Sequence, residues 1–312
     1  MKLAIQIPCY NEAATLPATL ADLPRQIEGF DKIEVIVVDD GSTDGTADVA
    51  RAHGVTHVVR FAANRGLAAA FKAGLEKALE LDADVIVNTD ADNQYPAAAI
   101  PALIKPITAG RADLVVGVRD IEAIDHFSFT KKKLQRFGSW VVRRFSGLQV
   151  EDTTSGFRAF SRRAASHLNI LTRYTYTLET LIQAGRENLA VATVPIVANK
   201  KTRESRLIRS TPAYVWRSAI TILRMYVTYE PLRVLCGAGA FLFGLGSLIG
   251  LRFLYYYLTE GGHGHIQSLI LAAILLVIGF QVGVLGIIAD LSATNRRLLE
   301  ELLRRARGRP FS

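Results

Sequence analysis

Along its first half the chain alternates short apolar runs with stretches whose apolar residues recur at helical spacing. Residues 3–7 read as a first strand, and the largely β-branched run 33–38 reads as a second. Residues 56–60, 83–87 and 114–116 add further strands, while residues 13–27, 44–52 and 66–81 carry the three- and four-residue spacing of helices. Strands alternating with helices of this length predict an α/β domain with a parallel, doubly wound sheet. Right-handed crossovers then bring the loops after the strands to one edge, which is where open α/β sheets bind ligands.

Three loops on that edge carry unusual residues. Pro8-Cys9-Tyr10-Asn11-Glu12 follows the first strand, and Asp39-Asp40-Gly41-Ser42-Thr43-Asp44-Gly45-Thr46 follows the second. Gly41 and Gly45 permit tight turns, and Ser42, Thr43 or Asp44 can cap the next helix. A cap accounts for Asp44 but not for Asp39 and Asp40, so Asp40 is predicted to accept hydrogen bonds from the ribose or base of a nucleoside. Asn88 to Pro96, N-T-D-A-D-N-Q-Y-P, follows the strand 83–87. In an extended loop Asp90 and Asp92 point the same way. Such a pair forms a solvated turn or holds a cation between its carboxylates. Its oxygens suit Mg²⁺ or Mn²⁺, which take one or two protein carboxylates and complete their shell with phosphates and water. Asn64-Arg65-Gly66, ahead of the third helix, reads either as an anion contact or as an ordinary cap and turn.

In the second half, residues 131–145 interleave Lys131, Lys132, Lys133, Arg136, Arg143 and Arg144 with Leu134, Phe137 and Trp140, the pattern of a basic amphipathic helix on an anionic surface. Asp152-Thr153-Thr154-Ser155-Gly156-Phe157-Arg158 follows. Polar and small residues around one Phe do not build a core, so this segment is predicted to be a substrate loop and not a packed strand. Residues 214–229 read as an interfacial helix that ends before Pro231.

Residues 232–258 are apolar except for Arg233 and Arg252, with Tyr255, Tyr256 and Tyr257 where an aromatic belt would lie. Residues 266–289 carry no charge, and at about 1.5 Å per residue they exceed the roughly 30 Å of a bilayer's hydrocarbon. The pair predicts a transmembrane hairpin. Its loop, 259–265, has no Lys or Arg whereas both flanks are rich in them, which puts the first domain and both termini in the cytoplasm. Residues 295–307 form a last basic amphipathic pattern. The organisation expected is therefore a 1–210 catalytic domain, a 211–230 interfacial helix, two spans within 231–290, and a basic helix within 291–312.

Composition then sharpens the partners. Half the residues (50%) are hydrophobic, with the excess after residue 230, and the formal charge is +8. That charge suits nucleic acid or an anionic membrane; because the apolar spans explain the basic residues, no nucleic acid partner is predicted. Cys9 and Cys236 do not suggest a structural disulfide, and the first eight residues do not read as a signal peptide. The runs Gly237-Ala238-Gly239-Ala240 and Gly244-Leu245-Gly246 predict helix packing between copies of a homo-oligomer.

With P-C-Y-N-E, V-V-D-D-G-S-T-D-G-T, N-R-G, D-A-D-N-Q and D-T-T-S-G-F-R in this order, residues 1–210 resemble the family 2 inverting glycosyltransferases of GT-A fold. The likeness is to membrane-anchored polyprenyl-phosphate glycosyltransferases related to dolichol-phosphate mannose synthase and the GtrB-type enzymes, the latter matching the two-helix anchor. It implies a Rossmann-like, mostly parallel sheet, with Pro8, Tyr10, Asn11, Glu12, Asp40 and Asp90 around the nucleotide. It implies Asp90, Asp92 and Gln94 as ligands of Mg²⁺ or Mn²⁺. It suggests Arg119 and Lys131 at the acceptor phosphate, where Lys132 and Ser155 are further candidates, and the residues expected in catalysis are Asp92, Asp152, Arg119 and Lys131. Gln135 and Arg203 depart from related enzymes, which often have a small hydroxyl residue and a glycine there. Thr43, where mannosyl enzymes often have proline, favours a UDP-sugar.

The reaction expected is transfer of a sugar, with inversion, from a nucleotide-sugar to undecaprenyl or dolichyl phosphate. The acceptor's second pKa is about 6, so a strong base is not required; Asp152 either orients the acceptor or serves as base, with Glu179 the second candidate for that proton. A processive polysaccharide synthase would carry a Gln-x-x-Arg-Trp segment, which is absent. A nucleotide-sugar sensor using the fold only for binding is the rival from another class.

Overall fold

The computed structural model describes residues 1–119, 148, 150, 152–170, 176–197, 199, 227, 230–261 and 266–307. The chain divides into two compact units, Met1–Ala219 and Ile220–Ser312. In the first, β1 (Lys2–Cys9), α1 (Leu16–Asp22), β2 (Lys32–Asp39), α2 (Thr46–Ala52), β3 (His57–Arg60), α3 (Leu67–Glu80) and β4 (Val85–Asn88) alternate. After them come α4 (Ile100–Thr108), β5 (Leu114–Arg119), β6 (Arg158–Ser161), α5 (Arg162–His167), α6 (Thr177–Arg186) and β7 (Val191–Ile196). The seven strands form one sheet in the order β3-β2-β1-β4-β6-β5-β7. All pairings are parallel except those of β6, which runs antiparallel between β4 and β5.

The continuous apolar runs are central strands, as burial on both faces of a parallel sheet requires: Leu3 through Cys9 are all buried, and so is every residue of β4. The helix α4 buries Ile100, Leu103, Ile104 and Ile107, the spacing of one apolar face. Several expected boundaries move, each for a local reason. The first helix covers Leu16–Asp22 and not 13–27, because Leu23 is extended ahead of Pro24. The second begins at Thr46 and not 44, since Gly45 takes φ +83° at its N-cap. Asn88, read as the start of a loop, is the buried last residue of β4.

The segment 152–157 is a loop, as expected, but a packed one: Asp152, Thr153, Ser155 and Phe157 are all buried, and the buried Arg158 that follows opens the strand β6. Phe157 and Phe160 supply the apolar anchors, and Phe157 stacks on Tyr95 with ring centroids 5.2 Å apart.

In the second unit, α7 (Pro231–Glu260) has 30 residues and α8 (Ile266–Arg307) has 42. Glycine brings their backbones together: a Cβ at Gly239 would lie 2.6 Å from the Gly279 carbonyl oxygen, and one at Gly246 3.0 Å from Leu275 Cβ. The outer faces, including Phe241, Leu248, Leu251, Phe280 and Ile287, are exposed. Both helices are long and apolar enough to cross a membrane. The final basic segment is not a separate helix. No Gly or Pro interrupts residues 287–307, and the Thr294 hydroxyl donates to the Asp290 carbonyl at 3.1 Å within one uninterrupted α8. The basic helix expected at 131–145, with Lys131 and Lys132, lies outside the described residues. So do nearly all of the interfacial segment 214–229 and positions Gln135 and Arg203.

Candidate active site

The loops after β1 and β2 are laced to each other. Asn11, at φ +54°, a region asparagine tolerates, accepts the Thr43 N–H on Oδ1 at 2.9 Å, and its own N–H donates to Ser42 Oγ at 2.9 Å. The N–H of Glu12 donates to Thr46 Oγ1 at 2.9 Å, while its carboxylate accepts the Thr15 hydroxyl at 2.8 Å. Asp44 accepts the N–H of Thr46 at 3.1 Å and that of Ala13 at 3.0 Å, so it caps α2 and ties the two loops. Asp39 is fully buried, with the Ser42 N–H at 2.9 Å on one oxygen and Arg60 Nε at 3.3 Å from the other. Pro8 is buried within β1, whereas Tyr10 exposes 42% of its surface.

Asp40 binds the chain's own backbone. Its two oxygens accept the N–H groups of Arg65, at 2.7 Å, and Gly66, at 2.9 Å. The Asn64-Arg65-Gly66 segment is therefore a turn fastened to the β2 loop. The fit is close, since a Cβ at Gly41 would lie 2.5 Å from the Ala63 carbonyl carbon. Burial pushes the Asp40 carboxyl up, outweighing those two hydrogen bonds. A nucleoside contact from Asp40 would use lone pairs that the turn does not occupy.

The loop after β4 is braced on several sides. Asp92 accepts the Gln94 N–H at 3.2 Å on one oxygen and Gln94 Nε2 at 2.7 Å on the other. Asn93, at φ +55°, donates to Asp22 at 2.7 Å. Asn199 reaches back from beyond β7, its N–H donating to the Gln94 carbonyl at 2.9 Å and its Nδ2 to the Asn93 carbonyl at 3.0 Å. Asp90 and Asp92 are half-buried. Among the described residues no group of three His, Cys, Asp or Glu gathers as a metal site. Two carboxylates and the Gln94 amide oxygen are nonetheless hard donors that fit Mg²⁺ or Mn²⁺ when phosphate and water supply the other ligands.

Arg119, at the end of β5, forms a two-pronged ion pair with Asp152: Nε lies 2.8 Å from Oδ2 and Nη2 3.3 Å from Oδ1. Thr154 completes the group, its hydroxyl donating to Asp152 at 2.9 Å and accepting from Arg119 at 3.4 Å. Burial pushes the Asp152 carboxyl up, but the charge and hydrogen bonds of Arg119 overcome it and hold the group below the usual carboxylate range. A carboxylate held this way is a poor proton acceptor near neutral pH. Glu179 is fully buried on α6, with Gln183 Nε2 at 3.4 Å. Ser155 is buried as well, and its hydroxyl accepts the Phe157 N–H at 3.3 Å.

Sequence reasoning missed Arg158. This fully buried guanidinium donates to the carbonyls of Ser155 (2.8 Å), Thr177 (2.7 Å) and Thr153 (2.9 Å) and to the Thr180 hydroxyl. Burial lowers its pKa to about 10. It clamps the segment that carries Asp152. A charged residue ahead of the apolar pair Ala159-Phe160 was the one available signal.

Residues 4–168 match the sequence family described as glycosyl transferase family 2. The undecaprenyl-phosphate mannosyltransferase of Micrococcus luteus is 29% identical over 218 residues, covering 66% of this chain and 88% of that protein. The UDP-N-acetylglucosamine–dolichyl-phosphate N-acetylglucosaminyltransferase of Methanococcus voltae is 31% identical over 211 residues, covering 61% and 82%. Among solved structures, glucosyl-3-phosphoglycerate synthase from Mycobacterium tuberculosis, in complex with Mn²⁺, UDP and glucosyl-3-phosphoglycerate, superposes with a TM-score of 0.56. It is 21% identical and the match covers 71% of this chain and 79% of that one, a likeness of fold.

Proposed function

Because the chain belongs to glycosyl transferase family 2, we propose that it moves a sugar from a nucleotide-sugar, a UDP-sugar in the favoured case, to a polyprenyl phosphate, with inversion. The observation that carries this reading is the pair of relatives matched over more than four-fifths of their length (88% and 82%), both named for transfer to a polyprenyl phosphate. The described site is compatible with it, since the carboxylates of the β4 loop and the Arg119 cation share the sheet edge at which such folds bind ligands.

In this reading Tyr10, Asn11 and Glu12, with Asp40 behind them, border the nucleoside. Asp90, Asp92 and Gln94 hold Mg²⁺ or Mn²⁺, which when bound neutralises charge developing on the departing diphosphate. Gln94 also fixes Asp92 through the 2.7 Å hydrogen bond. Arg119 binds the acceptor phosphate through N–H groups that Asp152 does not use, since a guanidinium has five donors and the ion pair engages Nε and Nη2. Asp152 then orients the cation and does not act as the base. With a second pKa of about 6 the acceptor is already largely a dianion at neutral pH. Lys131, as the resemblance suggests, and Lys132 join Arg119 at the phosphate.

The helices α7 and α8 anchor the chain in the bilayer, which is also the compartment the acceptor lipid does not leave. The Lys- and Arg-rich flanks keep the first unit on the cytoplasmic face. Gly237 and Gly244, beside which a Cβ would meet open space, leave room on α7 for a helix of a second copy.

The test uses the full chain in detergent with radiolabelled UDP- and GDP-sugars, a polyprenyl phosphate, and Mg²⁺ or Mn²⁺. A metal-dependent, organic-extractable product that disappears in Asp92→Ala is expected. Nucleotide binding without lipid product from any donor would move the assignment to a sensor or to another acceptor.

A further inference from the structure

Three polar residues occupy one row across the sheet. In the strand register Gln6 of β1 faces Asn88 of β4, and Asn88 faces Arg158 of β6. All three are fully buried. Apolar residues would fill such a row without loss, whereas buried amides and a guanidinium must each find partners. Gln6 Oε1 finds none among the described residues, although Gly74 leaves it room. A row kept polar at that cost points to a task beyond packing.

The partners of Asn88 show where the row leads. Its Oδ1 accepts from Gln6 Nε2 at 2.9 Å, and its Nδ2 donates to the Gly156 carbonyl at 2.8 Å and to Tyr176 Oη at 2.9 Å. The N–H of the same Gly156 donates to Tyr95 Oη at 3.0 Å. Both backbone polar groups of Gly156 are thus held by side chains, while Arg158 holds the carbonyls of Thr153 and Ser155 on the residues before it. On its open side Gly156 meets the site: a Cβ there would lie 3.0 and 3.1 Å from the two oxygens of Asp90 and 2.9 Å from Tyr176 Oη. A side chain there would press on the Asp90 carboxylate and the Tyr176 hydroxyl, and the Asp90 carboxylate rests against the backbone of the segment that carries Asp152.

We propose that Gly156 is the contact through which the Asp152 segment sets the position of the Asp90 carboxylate, with Asn88 and Tyr176 as positioning residues. This rests on the reading of Asp90 as a metal-holding carboxylate. Its consequence is that the donor-side carboxylate and the acceptor-side ion pair keep one separation, because both are referred to the same peptide. Tyr176 offers a mild probe. Its ring is stacked on Phe71 with centroids 3.8 Å apart and planes 4° from parallel, so Tyr176→Phe removes the hydroxyl and keeps the stack.

The experiment measures Mn²⁺ bound by the full-length protein with UDP, from the electron paramagnetic resonance signal of the free ion, with circular dichroism and lipid transfer on the same samples. Loss of an outer-shell partner typically weakens metal binding about 10- to 100-fold; Tyr176→Phe is expected near the lower end and Gly156→Ala near the upper, with the parent's helix content kept by Tyr176→Phe. Parent-like Mn²⁺ binding in both variants, or loss only in proportion to lost helix, overturns the proposal. So does a parent that binds no Mn²⁺ with UDP. A parent that makes no lipid product, while the variants still lose Mn²⁺, overturns the reading of the acceptor and supports this inference.

Discussion

Asp40 and Asp152 are both buried carboxylates, and they respond to pH in opposite senses. Arg119 holds the Asp152 carboxyl low despite burial. Its contribution to stability is therefore present above the unfolded value of about 3.9 and is lost as pH falls through the lower folded value. Burial holds the Asp40 carboxyl high, so its contribution is present below the unfolded value and is lost as pH rises through the folded one. Asp152→Asn removes the charge at constant shape and leaves Arg119 without its counter-ion. Breaking a buried pair costs about 3–5 kcal/mol, so urea unfolding at pH 7 is expected to show the variant less stable by an amount of that order. The gap between variant and parent should narrow as the pH is taken well below 4. A gap that stayed constant down to the acid transition would show that the charge of Asp152 is not what the fold uses.

The two long helices meet through glycine backbones, and their pairing is sensitive to a single side chain. Gly239→Leu would drive a Cβ to 2.6 Å from the Gly279 carbonyl oxygen, an atom that cannot move without its helix. Overpacking of this kind costs about 1–3 kcal/mol, and thermal unfolding in detergent is expected to begin at lower temperature than in the parent. Gly244→Leu, where a Cβ would meet open space, should leave the pair intact. The same contrast between local signal and distant contact decides what could be read from the sequence. The strands β1, β2 and β4 and both apolar helices were legible because long apolar runs need no partner to be recognised. The strand β6 was not: four residues starting with Arg158 look like a loop until three carbonyls and a hydroxyl are seen to satisfy the guanidinium. The carboxylates of the β4 loop could be found from their spacing. The role of Asp40 as a fastener for Arg65 and Gly66, and the union of Arg119 with Asp152 across 33 positions, depend on the fold and leave no local pattern.

For the molecule as a whole, the membrane reading has its own test. With Gly261→Cys, a membrane-impermeant maleimide applied to intact cells is expected to label the turn after α7, while Asp31→Cys, on the first unit, is labelled only after the membrane is opened. The native thiols interfere little, Cys9 being buried and Cys236 half-buried. Labelling of Asp31→Cys from outside would reverse the assigned orientation. The sheet carries one more implication. The chain departs at Arg119 from β5 and returns at Arg158 in β6, which is hydrogen-bonded to β5 as its neighbour. Adjacent strands lie about 5 Å apart, and the entropy of closing a loop grows only slowly with its length. A change of chain length between Arg119 and Asp152 therefore leaves strand order intact, whereas any exchange that includes Asp152 to Phe157 carries the Arg119 ion pair and the Gly156 contact to Asp90 with it, so the acceptor and donor sides of the site cannot diverge independently there.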